Sequence, residues 1–376
     1  MARGESYSSQ KLGGTDATTK RRKLDHIEIC LQEDVQSKAS AMFDDIRLVH
    51  NALPEIDKDA IDLTTSLLGL KAGAPIVIAA MTGGHPDTYE VNRRLAEAAE
   101  ELKLPIGVGS QRAAIEDTSL AYTFEVVREA APSVPVIANI GSTHAEHAPE
   151  AVQMIDADIL AVHLNPLQEA VQPEGECDSS GVLDKIASVL DLVDVPVIVK
   201  ETGAGISSTV AKQLEAIGVD GVDVGGLGGT SWSAVEYYRA LREKNHERAF
   251  LGHEYWDWGI PTALSLAMVV SSTDLSVIAT GGIRTGLDVA KALSLGADAA
   301  GVAFPLLKPA VTGKTSDVVN ELTKIIESLR VAMYLTGCQY VDDMLGRPVI
   351  IQGRLRENLE TLGIDYWRYE RKKARE

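Results

Sequence analysis

The sequence predicts a (β/α)8 TIM barrel with an N-terminal extension. Three observations lead there: eight short apolar runs follow one another from residue 75, each ends in glycine or polar residues, and helix-like amphipathic stretches separate them. Parallel strands covered by helices are buried on both faces and so read as continuous apolar runs. Eight strand-helix units over roughly 250 residues suit a barrel, whereas a doubly wound sheet usually has about five or six strands.

The runs, in order, are PIVIAAM (75–81), PIGVGS (105–110), PVIANIG (135–141), DILAVHLN (158–165), VPVIVKE (195–201), VDGVDVG (219–225), LSVIATGG (275–282) and DAAGVAF (298–304). Helical periodicity marks VNRRLAEAAEEL, TVAKQLEAIG and LDVAKALSLGA, and the last two carry glycine near the expected helix end. Between the sixth and seventh runs lie about 50 residues, including HEYWDWG, which predict an insertion or long loop near the barrel mouth. Its Trp232, Trp256 and Trp258 could line an apolar pocket, but packing under the insertion is the favoured expectation. Residues 1–20 read as a mobile Ser/Thr/Gly-containing tail, 21–74 as an N-terminal segment contributing to the site, 75–350 as the barrel and 351–376 as a charged C-terminal segment.

A formal charge of -18 disfavours partners that reward a basic face, namely nucleic acid and anionic membrane. Cys30, Cys177 and Cys338 lie too far apart for a zinc or redox motif and read as reduced thiols of a cytoplasmic protein. No apolar run approaches the roughly 20 residues that span a bilayer, and the N-terminus lacks the apolar core of a signal peptide.

Barrel active sites sit at the C-terminal ends of the strands. Here those ends are polar: Met81-Thr82-Gly83, Ser110-Gln111-Arg112, Asn139, His163 with Asn165, Lys200-Glu201 and Gly282-Ile283-Arg284. Alternation along the fourth run puts Ile159, Ala161, His163 and Asn165 on the inward face and the bulkier Leu160, Val162 and Leu164 on the helix-facing side. Each residue alone has a structural explanation: His163 a satisfied hydrogen bond, Asn139 a loop cap. Lys200 is sharper, since a lysine ending a β-branched run must meet an anion or solvent. Their convergence predicts a polar ligand site. The segments VGGLGGTS (224–231) and ATGGIRTG (279–286) follow successive late strands, where exposed N–H groups and a helix N-terminus can cradle phosphate.

Taken in order, RRKLDHIEI, MTGG, GSQR, ANIG, HLNPLQE, VKE, GGLGGTSW and GGIRTG resemble the type 2 isopentenyl-diphosphate isomerases, FMN-dependent barrel enzymes, from residue 20 to about 350. The resemblance implies that FMN contacts Met81, Thr82, Gly83, Ser110, Asn139, Lys200 and Thr230, with its phosphate on Gly282, Ile283 and Arg284 and with Ala303 and Phe304 nearby. It places the substrate diphosphate on Arg22, Lys23, His26, Ser110, Gln111, Arg112 and His163. Gln168 would lie beside the allyl unit, making Gln168 and His163 the catalytic candidates, and Glu169 would bind Mg2+. NADPH or NADH would keep the flavin reduced, and assembly would be a homotetramer or homo-octamer. The segment around Arg22 and Lys23 would close over the site of its own subunit or of a neighbour.

The implied reaction has a physical logic of its own. Moving a double bond by one carbon needs a proton added and a proton removed with no net redox change, at carbons that ordinary side chains titrate poorly. A reduced flavin suits that task, with the protein supplying orientation and excluding water. Two other readings compete. An FMN-dependent α-hydroxyacid oxidase or dehydrogenase would carry a His-Gly pair as base after a late strand, and here His253 follows Gly252 instead. A non-catalytic phosphate-binding barrel would leave the polar strand ends unexplained.

Overall fold

The computed structural model describes residues 15–366 and Tyr369, with side chains from Lys23 onward. Eight parallel strands close into a barrel: β1 (Ile76–Ile78), β2 (Ile106–Gly107), β3 (Val136–Gly141), β4 (Ile159–Leu164), β5 (Val197–Glu201), β6 (Gly221–Asp223), β7 (Ser276–Thr280) and β8 (Ala299–Val302). All eight predicted runs form strands, and closure comes from β8 against β1, with Ala300 opposite Ile76 and Val302 opposite Ile78.

The pleat sorts side chains as alternation requires. Val77, Ile137, Ile159, Ala161, Ile198, Ile278 and Ala299 fill the barrel interior. Leu160 and Val162 face outward and are fully buried under the helices, each burial being worth about 1.5–3 kcal/mol. Leu67 joins the interior from a hairpin, Thr65–Leu67 against Leu70–Ala72, which precedes β1 and plugs the N-terminal end of the barrel. With that end stoppered by apolar packing, the open end of the barrel is at the C-terminal ends of the strands.

The long unit between β6 and β7 is helical rather than a loop: Trp232–Arg242, His246–Glu254 and Thr262–Val270. The extension docks on the first of these. A helix at Thr15–Gln32 buries Ile29 against Val235 and Trp256, and Val35–Ser37 pairs with Gly229–Ser231 through Ser37 N to Gly229 O (2.8 Å) and Ser231 N to Val35 O (2.8 Å). The helix corrects the expectation of a tail through residue 20, because helical structure already begins at Thr15; residues 1–14 lie outside the described residues.

The boundary at residue 350 is also corrected. A strand at Val349–Ile351 pairs with Ile46–Leu48, and the helix Gly353–Thr361 buries Leu355 and Leu359. Leu355 N donates to the Asp45 carboxylate at 3.0 Å, capping that helix from the N-terminal extension. The charges of this helix lie on its outer face, and Leu355 and Leu359 on its inner face are core.

Candidate active site

A cavity of about 270 Å³ opens at the C-terminal ends of the strands. Of the residues predicted for the site, Lys23, His26, Met81, Thr82, Ser110, Arg112, Asn139, His163, Gln168, Glu169, Lys200, Thr230, Gly282, Ile283, Arg284, Ala303 and Phe304 all line it. The strand ends thus bring together groups spread over most of the chain.

Three predicted residues differ. Gln111 has no exposed surface and its side chain points into the core: its amide oxygen accepts from Asn139 N (2.9 Å) and its Nε2 donates to Ala151 O (2.8 Å). It braces Asn139 and does not face the cavity. Gly83 lies behind the wall, where an added Cβ would sit 2.1 Å from the Phe124 ring. The side chain of Arg22 lies outside the described residues, although its backbone belongs to the Thr15–Gln32 helix.

One end of the cavity is built from glycine. Gly281 and Gly282 have φ of 116° and 72°, and a Cβ on Gly282 would come within 2.5 Å of Gly228 O. Backbone this close, with no side chain between, leaves a cradle for a small anion. Arg284 borders it, stacked on Phe304 (5.3 Å) and donating to Gln36 Oε1 (2.6 Å), and burial lowers its pKa, so a bound anion would stabilise its charge. The backbone N–H of Arg284 is engaged by Asp288 Oδ2 (3.1 Å), which leaves the guanidinium rather than the amide to meet a ligand.

The middle of the cavity is lined by strand ends. Lys200 stands in register between His163 and Asp223. Burial raises the pKa of Asp223, opposed by the Lys200 charge, and burial likewise raises that of Glu201, opposed by the Ala204 and Gly203 amides. The buried Thr82 hydroxyl has no hydrogen-bond partner among the described residues, a cost that a ligand group could relieve. A phosphorylated, planar cofactor fits this stretch: a glycine cradle for the phosphate, Lys200 and Asn139 on the strand ends, and an orphaned hydroxyl at Thr82.

The other end is polar. Asn139 Nδ2 donates to Val108 O (3.0 Å), which turns its Oδ1 toward His163 Nδ1 at 2.8 Å. Nδ1 is then the donor to Asn139, which leaves Nε2 for a ligand, a donor there when the ring is protonated. Asn165 Nδ2 donates to Glu169 Oε1 (2.8 Å), while Gln172 Nε2 (2.6 Å) and Glu176 N (2.8 Å) donate to Oε2. Sequence reasoning missed Glu236. Its side chain is fully buried and accepts from His26 Nε2 (3.0 Å), Gln168 Nε2 (3.4 Å) and Arg239 (2.7 Å). Burial pushes its carboxyl up, but the bond from His26 and the His26 and Arg239 charges outweigh that and hold it below the usual range. The available signal was Glu236 and Arg239 three apart on the otherwise apolar face of one helix. Trp232 lines the cavity edge-on to His26 (5.1 Å), Trp256 is packed inside and Trp258 is 62% exposed, so packing describes only one of the three.

The Thr15–Gln32 helix reaches this cavity within its own chain through Lys23, His26, Ile27 and Cys30. Among the described residues no helix is long and apolar enough to cross a membrane, and no group of three or more His, Cys, Asp or Glu is placed to hold a metal by itself.

Comparisons with known proteins agree with this geometry. The FMN-dependent dehydrogenase family matches residues 17–130 and 158–351. An isopentenyl-diphosphate delta-isomerase of Methanothermobacter thermautotrophicus is 50% identical over 93% of this chain and 99% of its own. One from Pyrococcus furiosus is 45% identical over 94% and 92%. Solved structures of a mandelate oxidase (TM-score 0.60, 17% identity, 90% and 98% covered) and of flavocytochrome b2 (0.64, 19%, 88% and 84%) share the fold. The chain belongs to the FMN-dependent dehydrogenase family and, within it, to the isopentenyl-diphosphate delta-isomerases.

Proposed function

We propose that this protein interconverts isopentenyl and dimethylallyl diphosphate on reduced FMN, a redox-neutral allylic proton shift that serves isoprenoid biosynthesis. The observation that carries the proposal is one continuous cavity with a glycine cradle and an orphaned Thr82 hydroxyl at the cofactor end, and Lys23, Arg112, His163, Gln168 and Glu169 at the other. Met81, Thr82, Ser110, Asn139, Lys200, Thr230 and the Gly282–Arg284 turn, with Ala303 and Phe304, would hold FMN. When bound and reduced, FMN supplies proton exchange and an electron-rich face beside the reacting carbons; NADPH or NADH would reduce it without being consumed stoichiometrically.

The remaining work falls to side chains. Lys23, Arg112 and His163 would hold the diphosphate by charge and hydrogen bonding. Glu169 would supply a carboxylate for Mg2+, the hard oxygen ligand such an ion prefers beside a diphosphate. Gln168 is neutral and a weak acid or base, so its contribution is orientation: Glu236 accepts from its Nε2 and Asn165 donates toward its Oε1 (3.4 Å). Lys23, His26, Ile27 and Cys30 of the Thr15–Gln32 helix line the cavity with Trp232 and would help keep bulk water from the reacting carbons.

An α-hydroxyacid oxidase is the less supported reading. His253 sits on the His246–Glu254 helix against Tyr237 and Trp256, and the cavity wall includes His26, His144 and His163 but not His253. Self-association into a tetramer or octamer, in the cytoplasm, belongs to the same proposal, and exposed Phe250 (64%) and Trp258 (62%) are apolar enough to support contact between copies. The test is an anaerobic assay of purified protein with FMN, NADPH, Mg2+ and isopentenyl diphosphate. Product that requires reduced flavin but no stoichiometric NADPH supports the isomerase; flavin reduction by hydroxyacids with no product would replace it.

A further inference from the structure

At the diphosphate end of the cavity one cationic side chain is already paired. Arg112, on the helix Arg112–Glu116, is engaged twice: Nε with Glu116 (2.7 Å) and Nη2 with Glu176 (3.3 Å). Glu116 is a local pair one helical turn away. Glu176 is not local, because it comes from the chain that follows the Pro166–Val171 helix.

That chain is pinned to Glu169. Glu176 N donates to Glu169 Oε2 (2.8 Å), Cys177 Sγ approaches Glu169 O (3.5 Å), and an added Cβ on Gly175 would lie 1.7 Å from Glu169 O. The carboxylate of Glu176 is thereby presented to Arg112, with its second oxygen 3.6 Å from His144 Nε2. His144 lends little charge, since burial and the Arg112 charge lower its pKa. Among the described residues, Glu116 and Glu176 hold Arg112 between them, and Glu169 lines the same cavity. A bare diphosphate arriving here adds its own negative charge to these carboxylates and must displace Glu176 from Arg112. A diphosphate already carrying a divalent cation brings compensating positive charge with it.

We infer that Glu176 is a specificity-determining residue: it occupies Arg112 as a resident anion, so that the site admits diphosphate as its divalent-cation complex and discriminates against the free anion. This rests on the diphosphate reading of the cavity given above. Glu176 needs no contact with the substrate. It acts by lowering the affinity of Arg112 for an uncomplexed anion, and it is released when phosphate oxygens take its place.

The test is calorimetric titration of inorganic pyrophosphate into the FMN-loaded, full-length protein, with and without Mg2+, at low ionic strength. Wild type, Glu176→Gln and Glu176→Asp are compared, with bound FMN checked by visible absorbance. Both pair members are partly exposed, 35% and 52%, so the change expected is that of a surface pair, about two- to five-fold. Glu176→Gln should tighten metal-free pyrophosphate by that factor and narrow the advantage conferred by Mg2+, Glu176→Asp should match wild type, and high salt should erase the difference. Unchanged or weaker metal-free binding in Glu176→Gln overturns the inference. So does a Glu176→Asp variant that behaves like Glu176→Gln, since loop geometry rather than charge would then be responsible. Wild type that binds no pyrophosphate in either condition overturns the diphosphate reading itself, a separate failure.

Discussion

Gly282→Ala tests the cofactor cradle most directly, and the protein contains its own control. Gly282 and Gly181 have nearly the same φ, 72° and 70°, so alanine at either position carries the same left-handed backbone strain, on the order of 1 kcal/mol. Their surroundings differ. A Cβ at Gly181 meets nothing within 4 Å, whereas at Gly282 it would lie 2.5 Å from Gly228 O and 2.8 Å from Ala41 Cβ. Backbone oxygen cannot swing aside as a side chain can, so the two glycine segments must separate, adding about 1–3 kcal/mol of overpacking. If about half of that strain widens the cradle, FMN affinity falls by about two- to tenfold. FMN fluorescence quenching titrated into flavin-free protein gives the affinity, and thermal melts of the same samples give stability. Gly282→Ala should lose both, and Gly181→Ala only the smaller stability increment. Equal stability losses in the two variants, with FMN affinity unchanged in Gly282→Ala, would refute the cradle.

Gln111→Ala should destabilise by about 1–3 kcal/mol, because the Asn139 amide and Ala151 carbonyl lose a buried partner; a raised KM with unchanged stability would instead return Gln111 to the substrate. Glu236 is held below the ordinary carboxylate range, so its pairing contributes stability above its unfolded pKa, about 4.3, and loses it as pH falls through the lower folded value. Glu236→Gln should therefore flatten the acid limb of a stability-pH curve, and an unaltered limb would show the network to be neutral. Glu169→Gln should weaken the dependence on Mg2+ with flavin retained, read by metal titration of activity and by absorbance. Lys23→Ala should raise the substrate concentration required while leaving FMN bound, and flavin loss would place Lys23 on the cofactor instead.

Local pattern carried much of this protein. The period-two alternation in DILAVHLN was enough to aim His163 and Asn165 inward, because one face of a barrel strand must fill the interior and the other must pack under helices. The glycine segments were legible for a similar reason: backbone approach closer than a Cβ allows requires that residue type wherever it occurs. Eight such units, read along the chain, implied closure.

Partners distant in sequence were decided only by the tertiary structure. Whether Gln111 faced ligand or core depended on Ala151, forty residues on, and a strand-to-helix corner can turn a side chain either way. Glu236 became a site residue because His26, 210 positions away, lies on a helix packed against its own. Arg112 met Glu176 across 64 positions, and the C-terminal segment became core because Val349–Ile351 found a strand near residue 46. A local sequence window records which face a residue occupies, but the identity of the group opposite is set by chain closure and long-range packing, where the energies of many distant contacts are balanced together.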